Sequence, residues 1–381
     1  MTTYHTPGIY REDVFPTRRP GLATGVPAFL GPATGLAGDE PFRVTRLAEL
    51  AERLGPLPSR SRLAAAVAGF FLNGGTECLV VPLADPLETD PEEALERGLA
   101  ALAVRQDLDL VCVPDLHWMA GDPGQALRMQ AAVLRHCHTQ GDRFALLDAF
   151  REGGLSEVRA QWDELAGESG ANGALYHPWL RGPAAEAPLV PPCGHVAGVV
   201  ARCDRQTGVH KAPANEVLEG VVDLAARLTD ADQTGFHPRG INALRAFPGR
   251  GIRIWGARTL SGSPRWAYIN VRRLFLTVAR WIELNLAATG FEPHDTPLWN
   301  RISRELTAFL EELYRAGALQ GRTAAEAFFV KCDGETNPPE VRETGQVVVL
   351  VGLAPTAPSE FVVVRIVHGT GGVEITAPSQ S

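Results

Sequence analysis

The sequence contains no C-x-x-C pair, although six cysteines (Cys78, Cys112, Cys137, Cys193, Cys203 and Cys332) are spread along its 381 residues. In a chain of this length, scattered thiols read as reduced, mostly buried side chains and not as a disulfide framework. Long hydrophobic runs are missing too. The longest, Leu63–Leu72 and two valine-rich stretches near the C-terminus, fall far short of the ~20 residues that a membrane-spanning helix needs. The opening MTTYHTPGIYRED has no apolar core of signal-peptide length, so a cytosolic protein is expected. No basic block or aromatic-basic repeat is present. Lys plus Arg number 36 against 44 Asp plus Glu, a formal net charge of −8, which makes non-specific nucleic-acid binding a poor reading. A G-x-x-x-x-G-K-[ST] loop and a G-x-S-x-G elbow are both absent, and FPGRGIRIWGARTL lacks the G-x-G-x-x-G spacing. No motif therefore proposes a reaction, and no internal repeat or low-complexity tract appears.

What is present is a folded chain long enough for two domains. Apolar residues make up 45% and charged residues 21%, a globular balance. Residues 1–22 form an arm with one short extended stretch, residues 8–15, between prolines and with too little apolar surface to fold alone. GVPAFLGPA follows as a buried strand. From Thr45 the chain alternates helix and strand: TRLAELAERLG with a Thr45 cap and a glycine stop, a helix to Leu72 ending at NGG, then CLVVPL, a helix over 92–104, LDLVCVP, a helix over 122–139, FALLDAF, a helix near 155–166 and GALYHPWL. This alternation implies a largely parallel sheet covered on both faces. An α/β domain over 23–250 is expected, followed by a second, α+β unit over 251–358 and a C-terminal arm over 359–381.

In the second unit, TPLWNRISRELTAFLEELYRAG is a punctuated helix with Thr296 as cap, Pro297 in the first turn and Gly317 as stop. Trp299, Ile302, Leu306, Phe309, Leu310 and Leu313 form its apolar stripe. RWAYINVRRLFLTVARWIELNL repeats that spacing upstream. AFFVKCD and the runs GQVVVLVGLAP and EFVVVRIVHG read as strands. Two valine-rich strands alone make a marginal sheet with open edges, so neighbouring molecules are expected to supply strands.

Candidate chemistry is thin. Asp85, Asp115 and Asp148 each follow a strand, where an open α/β sheet places its ligand crevice, and His117 is close to Asp115. That cluster suits a metal or acid–base work, but an Asp after a strand more often caps the next helix or makes a turn. Cys193, His195 and Cys203 have soft-ligand types, yet they are at most three ligands without a paired knuckle; buried thiols and a surface histidine are the simpler account. His136, Cys137 and His138 fall near a helix C-terminus, where histidine suits the dipole.

Several segments together resemble the contractile tail sheath family of phage tails, tailocins and contractile injection systems. They are TPGIYREDV, GVPAFLG, FFLNGGTECLVVPL, GHVAGVVARCDRQTGVHKAPANEVLEGV, GINALRAFPGRGIRIWGARTL, WAYINVRRL and FEPHDTPLW, the last with His294 where the family tends to have Asn. The resemblance runs through nearly the whole chain. It implies an outer α/β domain, an inner α+β domain, and terminal arms exchanged between subunits as added strands. The donors would be Gly8, Ile9, Tyr10, Arg11, Glu12 and Val14 at one end and Phe361, Val362, Val363, Val364, Arg365, Ile366 and Val367 at the other, with Val347, Val349 and Val351 in the accepting strand.

It further implies a structural subunit, not an enzyme, with no cofactor or metal. The partners would be further copies in a helical polymer of stacked rings, an inner tube protein, and baseplate and terminal cap proteins, with no nucleic acid and no membrane insertion. Assembly in a bacterial cytosol, into a virion or a released particle, is expected. The inner domain would line the lumen, and the charged face of the helix near 298–316 (Arg301, Arg304, Glu305, Glu311, Glu312, Arg315), or the loop over 291–297 before it, would face the tube. Two other classes stay open at this stage: a cytosolic α/β enzyme using the Asp85, Asp115 and Asp148 region, and a non-contractile adaptor that recruits one partner through a strand edge.

Overall fold

The computed structural model describes residues 22–33, 40–55, 57–151, 153–184, 188–286, 292–356, 362–369 and 372–376. Its strands are β1 (Pro27–Pro32), β2 (Phe42–Val44), β3 (Cys78–Leu83), β4 (Leu110–Cys112), β5 (Phe144–Asp148), β6 (Gly173–His177), β7 (Leu180–Arg181), β8 (Asp223–Leu224), β9 (Ile241–Phe247), β10 (Gly251–Trp255), β11 (Phe328–Lys331), β12 (Val347–Leu353), β13 (Val362–Gly369) and β14 (Gly372–Thr376). The helices of the first part are α1 (Leu47–Leu54), α2 (Leu63–Leu72), α3 (Pro91–Ala103), α4 (Leu116–Met119), α5 (Pro123–Gln140), α6 (Leu155–Leu165), α7 (Cys193–Gln206) and α8 (Asp230–Phe236). Those of the second are α9 (Ile269–Leu286), α10 (Thr296–Arg315), α11 (Ala324–Ala327) and α12 (Pro339–Glu343).

Eight strands form one sheet in the order β10-β9-β6-β5-β4-β1-β3-β2. The six inner ones run parallel, and β2 and β10 are antiparallel at the two edges. Alternate residues serve opposite faces, as a pleated strand requires. Phe29, Val80, Cys112 and Tyr176 pack into one core with α2 and α7, while Ala28, Leu30, Val81, Val111 and Leu175 pack into another with α3, α5 and α6. Both faces are covered, which is why these strands read as unbroken apolar runs.

Glycines set the approach of α2 and α7. A Cβ on Gly194 would lie 2.2 Å from the Ala66 carbonyl oxygen, and one on Gly198 would lie 2.4 Å from that of Phe70. The two helices therefore meet backbone to backbone. Asp90 and Asp122 start α3 and α5, each followed by proline, and accept from the N–H groups of Glu92 and Gln125.

Two expected caps fall elsewhere. Thr45 does not cap α1; its N–H and hydroxyl donate to the Glu49 carboxylate, which reaches back over the first turn. Thr296 is the first helical residue of α10, and Asp295, a stronger acceptor, takes the Leu298 N–H at 3.1 Å.

The large sheet runs past residue 250 as far as Trp255, so the stretch expected to open the second unit forms an edge strand of the first. That edge is covered. Asn215 N–H donates to Ile254 O at 2.7 Å, Ile254 N–H to Glu216 O at 3.0 Å and Leu218 N–H to Ile252 O at 2.8 Å. At the other edge, β2 has only 3 residues, and its Arg43 is tied to Glu77 and Asp107.

A third core lies against a second, four-stranded sheet ordered β11-β12-β13-β14. It gathers Leu274, Phe275, Val278 and Ile282 of α9, Trp299, Ile302, Leu306 and Leu310 of α10, and Val347, Val349, Val351 and Leu353 of β12. Phe309 and Leu313 pack at its margin, and the Phe309 ring stacks on Trp281 with centroids 4.4 Å apart.

The join between the two parts is both apolar and ionic: Ile269 and Leu276 of α9 pack into the core of the large sheet. Arg273 of α9 is buried, with both Nη atoms on the Asp204 carboxylate at 2.8 and 2.6 Å and Nη2 on Asp109 at 2.8 Å. Asp109 also accepts from the N–H groups of Gly25 and Val26 at 3.1 and 2.7 Å. Burial alone would lower the proton affinity of Arg273; the Asp204 and Asp109 carboxylates reverse that and hold it above its ordinary value. Removing one partner of a buried ion pair costs about 3–5 kcal/mol because the other charges remain buried and unmet. Arg273→Met is thus expected to lower the unfolding free energy by that amount, read as a lower urea midpoint at unchanged slope. A loss under ~1 kcal/mol, the scale of an exposed pair, would show that the triad does not hold the join.

Candidate intersubunit site

The small sheet is built around β12, whose run VVVLVGL puts Val347, Val349, Val351 and Leu353 into the core. On one side β11 pairs with Leu350–Leu353 only. Beyond it the side chain of Asn337 takes over the ladder: Val348 N–H donates to its Oδ1 at 2.7 Å, and its Nδ2 donates to Val348 O at 3.0 Å. Gly352 lies beneath Phe329, whose ring would have to move for a Cβ there, 2.0 Å away. Lys331 on β11 is engaged by Glu335. This edge is short and charged, a poor template for another strand.

On the other side β13 pairs with β12 along its whole length, from Val347↔His368 to Leu353↔Val362. Strand β14 then pairs with β13 from Arg365↔Thr376 to Gly369↔Gly372. Within one chain, Val362, Val363, Val364, Arg365, Ile366 and Val367 thus lie in register against the strand carrying Val347, Val349 and Val351. The expected donors Gly8, Ile9, Tyr10, Arg11, Glu12, Val14 and Phe361 lie outside the described residues. Strand β14 was not anticipated from the sequence.

The polar face of α10 carries paired and open charges. Arg301 bonds Glu292 at 2.7 Å and approaches Glu305 at 4.0 Å; Arg315 bonds Glu311 at 2.7 Å. Arg304 and Glu312 are exposed.

The three acidic residues of the enzyme reading turn out to tie backbone. Asp85 accepts from Leu87 N–H in a turn. Asp115 accepts from the Ser61 hydroxyl and the Arg62 N–H at the start of α2, and burial pushes its carboxyl up to about 6. Asp148 accepts from Cys193 N–H at 2.8 Å at the start of α7, and burial pushes it up to about 7. His117 bonds the Asp148 carbonyl at 2.8 Å. His195 is buried, not on the surface as expected, because it fills the space beside Gly69, and burial lowers it to about 4. Cys193 and Cys203 are buried free thiols. Among the described residues no group of three or more His, Cys, Asp or Glu side chains is placed to hold a metal ion, and no helix is long and apolar enough to cross a membrane.

The buried polar residues that organise the fold were missed in the sequence. Arg273 sits in an apolar helical stretch whose leucines and valines drew attention instead. Its signal was a cation on the apolar side of the helix, between Val271 and Leu274, a position that demands a partner. Asn337 carried no such signal, because its role depends on where β11 stops.

The phage tail sheath central domain family matches residues 92–260, and the phage tail sheath C-terminal domain family matches residues 261–368. The chain belongs to the phage tail sheath family. The tail sheath protein of Vibrio phage KVP40 is 27% identical over 182 residues, 47% of this chain and 26% of that relative. The chain therefore spans only 26% of the length of the phage relatives it matches. Two solved sheath structures match almost end to end. The anti-feeding prophage helical sheath in its contracted state is 30% identical with a TM-score of 0.75, covering 94% of this chain and 98% of that one. The PVC sheath complex, an extracellular contractile injection system in its contracted state, is 27% identical with a TM-score of 0.74, covering 95% and 97%.

In this sheath-family chain Asp148 gives a pH signature that separates a helix tie from a catalytic acid. Its folded carboxyl keeps a proton to about 7, whereas an unfolded Asp loses it near ~3.9. Between those values the folded state binds more protons, so this contribution to stability is full at acid pH and is lost as pH rises through the window. Asp148→Asn keeps an acceptor for Cys193 N–H and should flatten that slope, with a melting temperature at pH 8 no lower than that of the parent. A steep fall at pH 8 would mean that the carboxylate itself is needed.

Proposed function

We propose that this chain is the structural subunit of a contractile sheath, polymerising helically around an inner tube and shortening to drive that tube through a target envelope. The observation that carries this reading is the end-to-end likeness to sheaths solved in the contracted state. Its role is non-enzymatic and needs no cofactor; the acids that suggested otherwise are engaged with backbone at the starts of helices and in a turn. The partners are further copies of the chain in stacked rings, an inner tube protein, and baseplate and terminal cap proteins, assembled in a bacterial cytosol.

Arms over 1–22 and 359–381 link subunits by adding strands to the sheet around β12 of a neighbour, while the folded domains between them move as rigid bodies. The energy of shortening comes from better packing between subunits, which needs no nucleotide. A sheath must hold its tube and then release it, so contacts that are weak one by one and repeated along the polymer are physically suitable. The charged face of α10, with Arg304 and Glu312 open, is the proposed tube-facing surface.

Deleting residues 1–18 is expected to leave a folded subunit that forms no tubes in negative-stain micrographs, because the arm adds little to its own core. Unfolding on deletion would place the arm in the subunit core and end the exchange reading. Charge reversal at Arg301 and Arg304 together is expected to weaken tube retention while empty sheaths still form, with a defect that depends on salt. Normal retention at every ionic strength would place the tube-facing surface elsewhere.

A further inference from the structure

We infer that β14 is a built-in cap on the outer edge of β13, displaced when a strand of a second copy adds there during assembly. This rests on the strand-exchange reading above, in which β13 presents the same outer edge whether it lies on its own β12 or on a neighbour's. The alternation of the ladder fixes which groups are at stake. Val348 turns its N–H and C=O toward Asn337, away from β13. Residues two apart on a strand point the same way, so Val347, Val349, Val351 and Leu353 are those that bond β13. Their partners His368, Ile366, Val364 and Val362 point inward. Val363, Arg365, Val367 and Gly369 therefore point their backbone groups outward.

Strand β14 meets only part of that row. Its pairs Arg365↔Thr376, Val367↔Glu374 and Gly369↔Gly372 cover three of the four outward positions. Among the described residues none pairs with Val363 on this side. The lengths agree: β13 has 8 residues and β14 has 5.

A bare valine-rich edge is an aggregation hazard in a free subunit. A covering strand tied on by residues 370 and 371 closes it at high effective concentration. The arm stretch over residues 8–15 of a second copy matches β13 in length, so it can pair along the whole strand and meet Val363 as well. In the free subunit the tethered cap wins. In the growing polymer, where a neighbour's arm is held nearby, the longer strand replaces it. The hairpin thus delays strand addition until a partner is in place.

Ile366 and Ile375 face each other across the hairpin in a pair without ladder bonds, the kind whose Cα atoms approach most closely. The full-length double variant Ile366→Cys, Ile375→Cys is expected to polymerise like the parent when reduced. When oxidised it should give about tenfold less polymer by light scattering and negative-stain microscopy, and reduction should restore it. Equal polymer from both redox forms overturns the cap.

Val363→Pro removes an outward N–H that β14 does not use. It should leave circular dichroism and the subunit melting curve unchanged while tubes are lost, and normal tube yield also overturns the proposal. The 1–18 deletion separates the two layers of inference. Loss of tubes on that deletion, with normal assembly of the oxidised double variant, would leave strand exchange standing and the cap alone wrong. Tubes formed without residues 1–18 would remove both.

Discussion

Arg273 carries a full charge into the interior, and its surroundings are arranged to keep it there. Burying an ion without a partner costs several kcal/mol, so the fold brings two carboxylates to it from separate elements: Asp204 near the end of α7, and Asp109 just before β4. Asp109 in turn holds the N–H groups of Gly25 and Val26, fixing where the chain arrives from its N-terminal arm. The helix that bears Arg273 also packs its apolar side against α10 and β12. The root of the arm, the large sheet and the helix that carries the small sheet therefore meet at one guanidinium. Arg280, two turns further along α9, repeats the theme by donating to the Ala23 carbonyl at 3.0 Å.

Period and punctuation made the large sheet legible in advance. Apolar runs such as CLVVPL and FALLD, separated by helices with a clear apolar face, demand parallel strands covered on both sides, and the burial of β1, β3, β5 and β6 agrees. The close packing of α2 on α7 is written in Gly194 and Gly198, but only coordinates show that the contact is backbone on backbone. Caps were readable to within a residue, and a carboxylate lies behind each error. Asp295 takes the N–H expected to go to Thr296, as the better acceptor, while Thr45 is itself a donor to the Glu49 carboxylate. Strand β14 escaped because GVEIT is short, opens on a pair of glycines, Gly371 and Gly372, and pairs only with β13. The likeness to sheaths, by contrast, was visible in motifs spread along the chain.

Acidic residues after strands show how one local pattern serves opposite ends. From sequence, Asp115 and Asp148 fit a crevice or a helix start equally well. The coordinates turn each toward the first turn of a helix on the core face of the sheet. Their ionisation is resisted by burial: in both, desolvation leads, and it is softened at Asp115 by the Ser61 hydroxyl and by the N–H and charge of Arg62, and at Asp148 by Cys193. A carboxyl that is neutral over part of the physiological range and holds a backbone N–H acts as a fastener whose grip depends on acidity.

The closed edges of the large sheet have a consequence for growth. The Asn215–Leu218 stretch lies along β10, β2 is too short to guide a visitor, and Asn337 finishes the ladder that β11 leaves incomplete. Subunits that can join in several ways yield branched or jammed aggregates, because each wrong junction seeds more of its kind. Among the described residues, closing these borders removes places where a stray strand could add. On the strand-exchange reading proposed above, fewer open borders leave a misplaced junction fewer templates on which to spread.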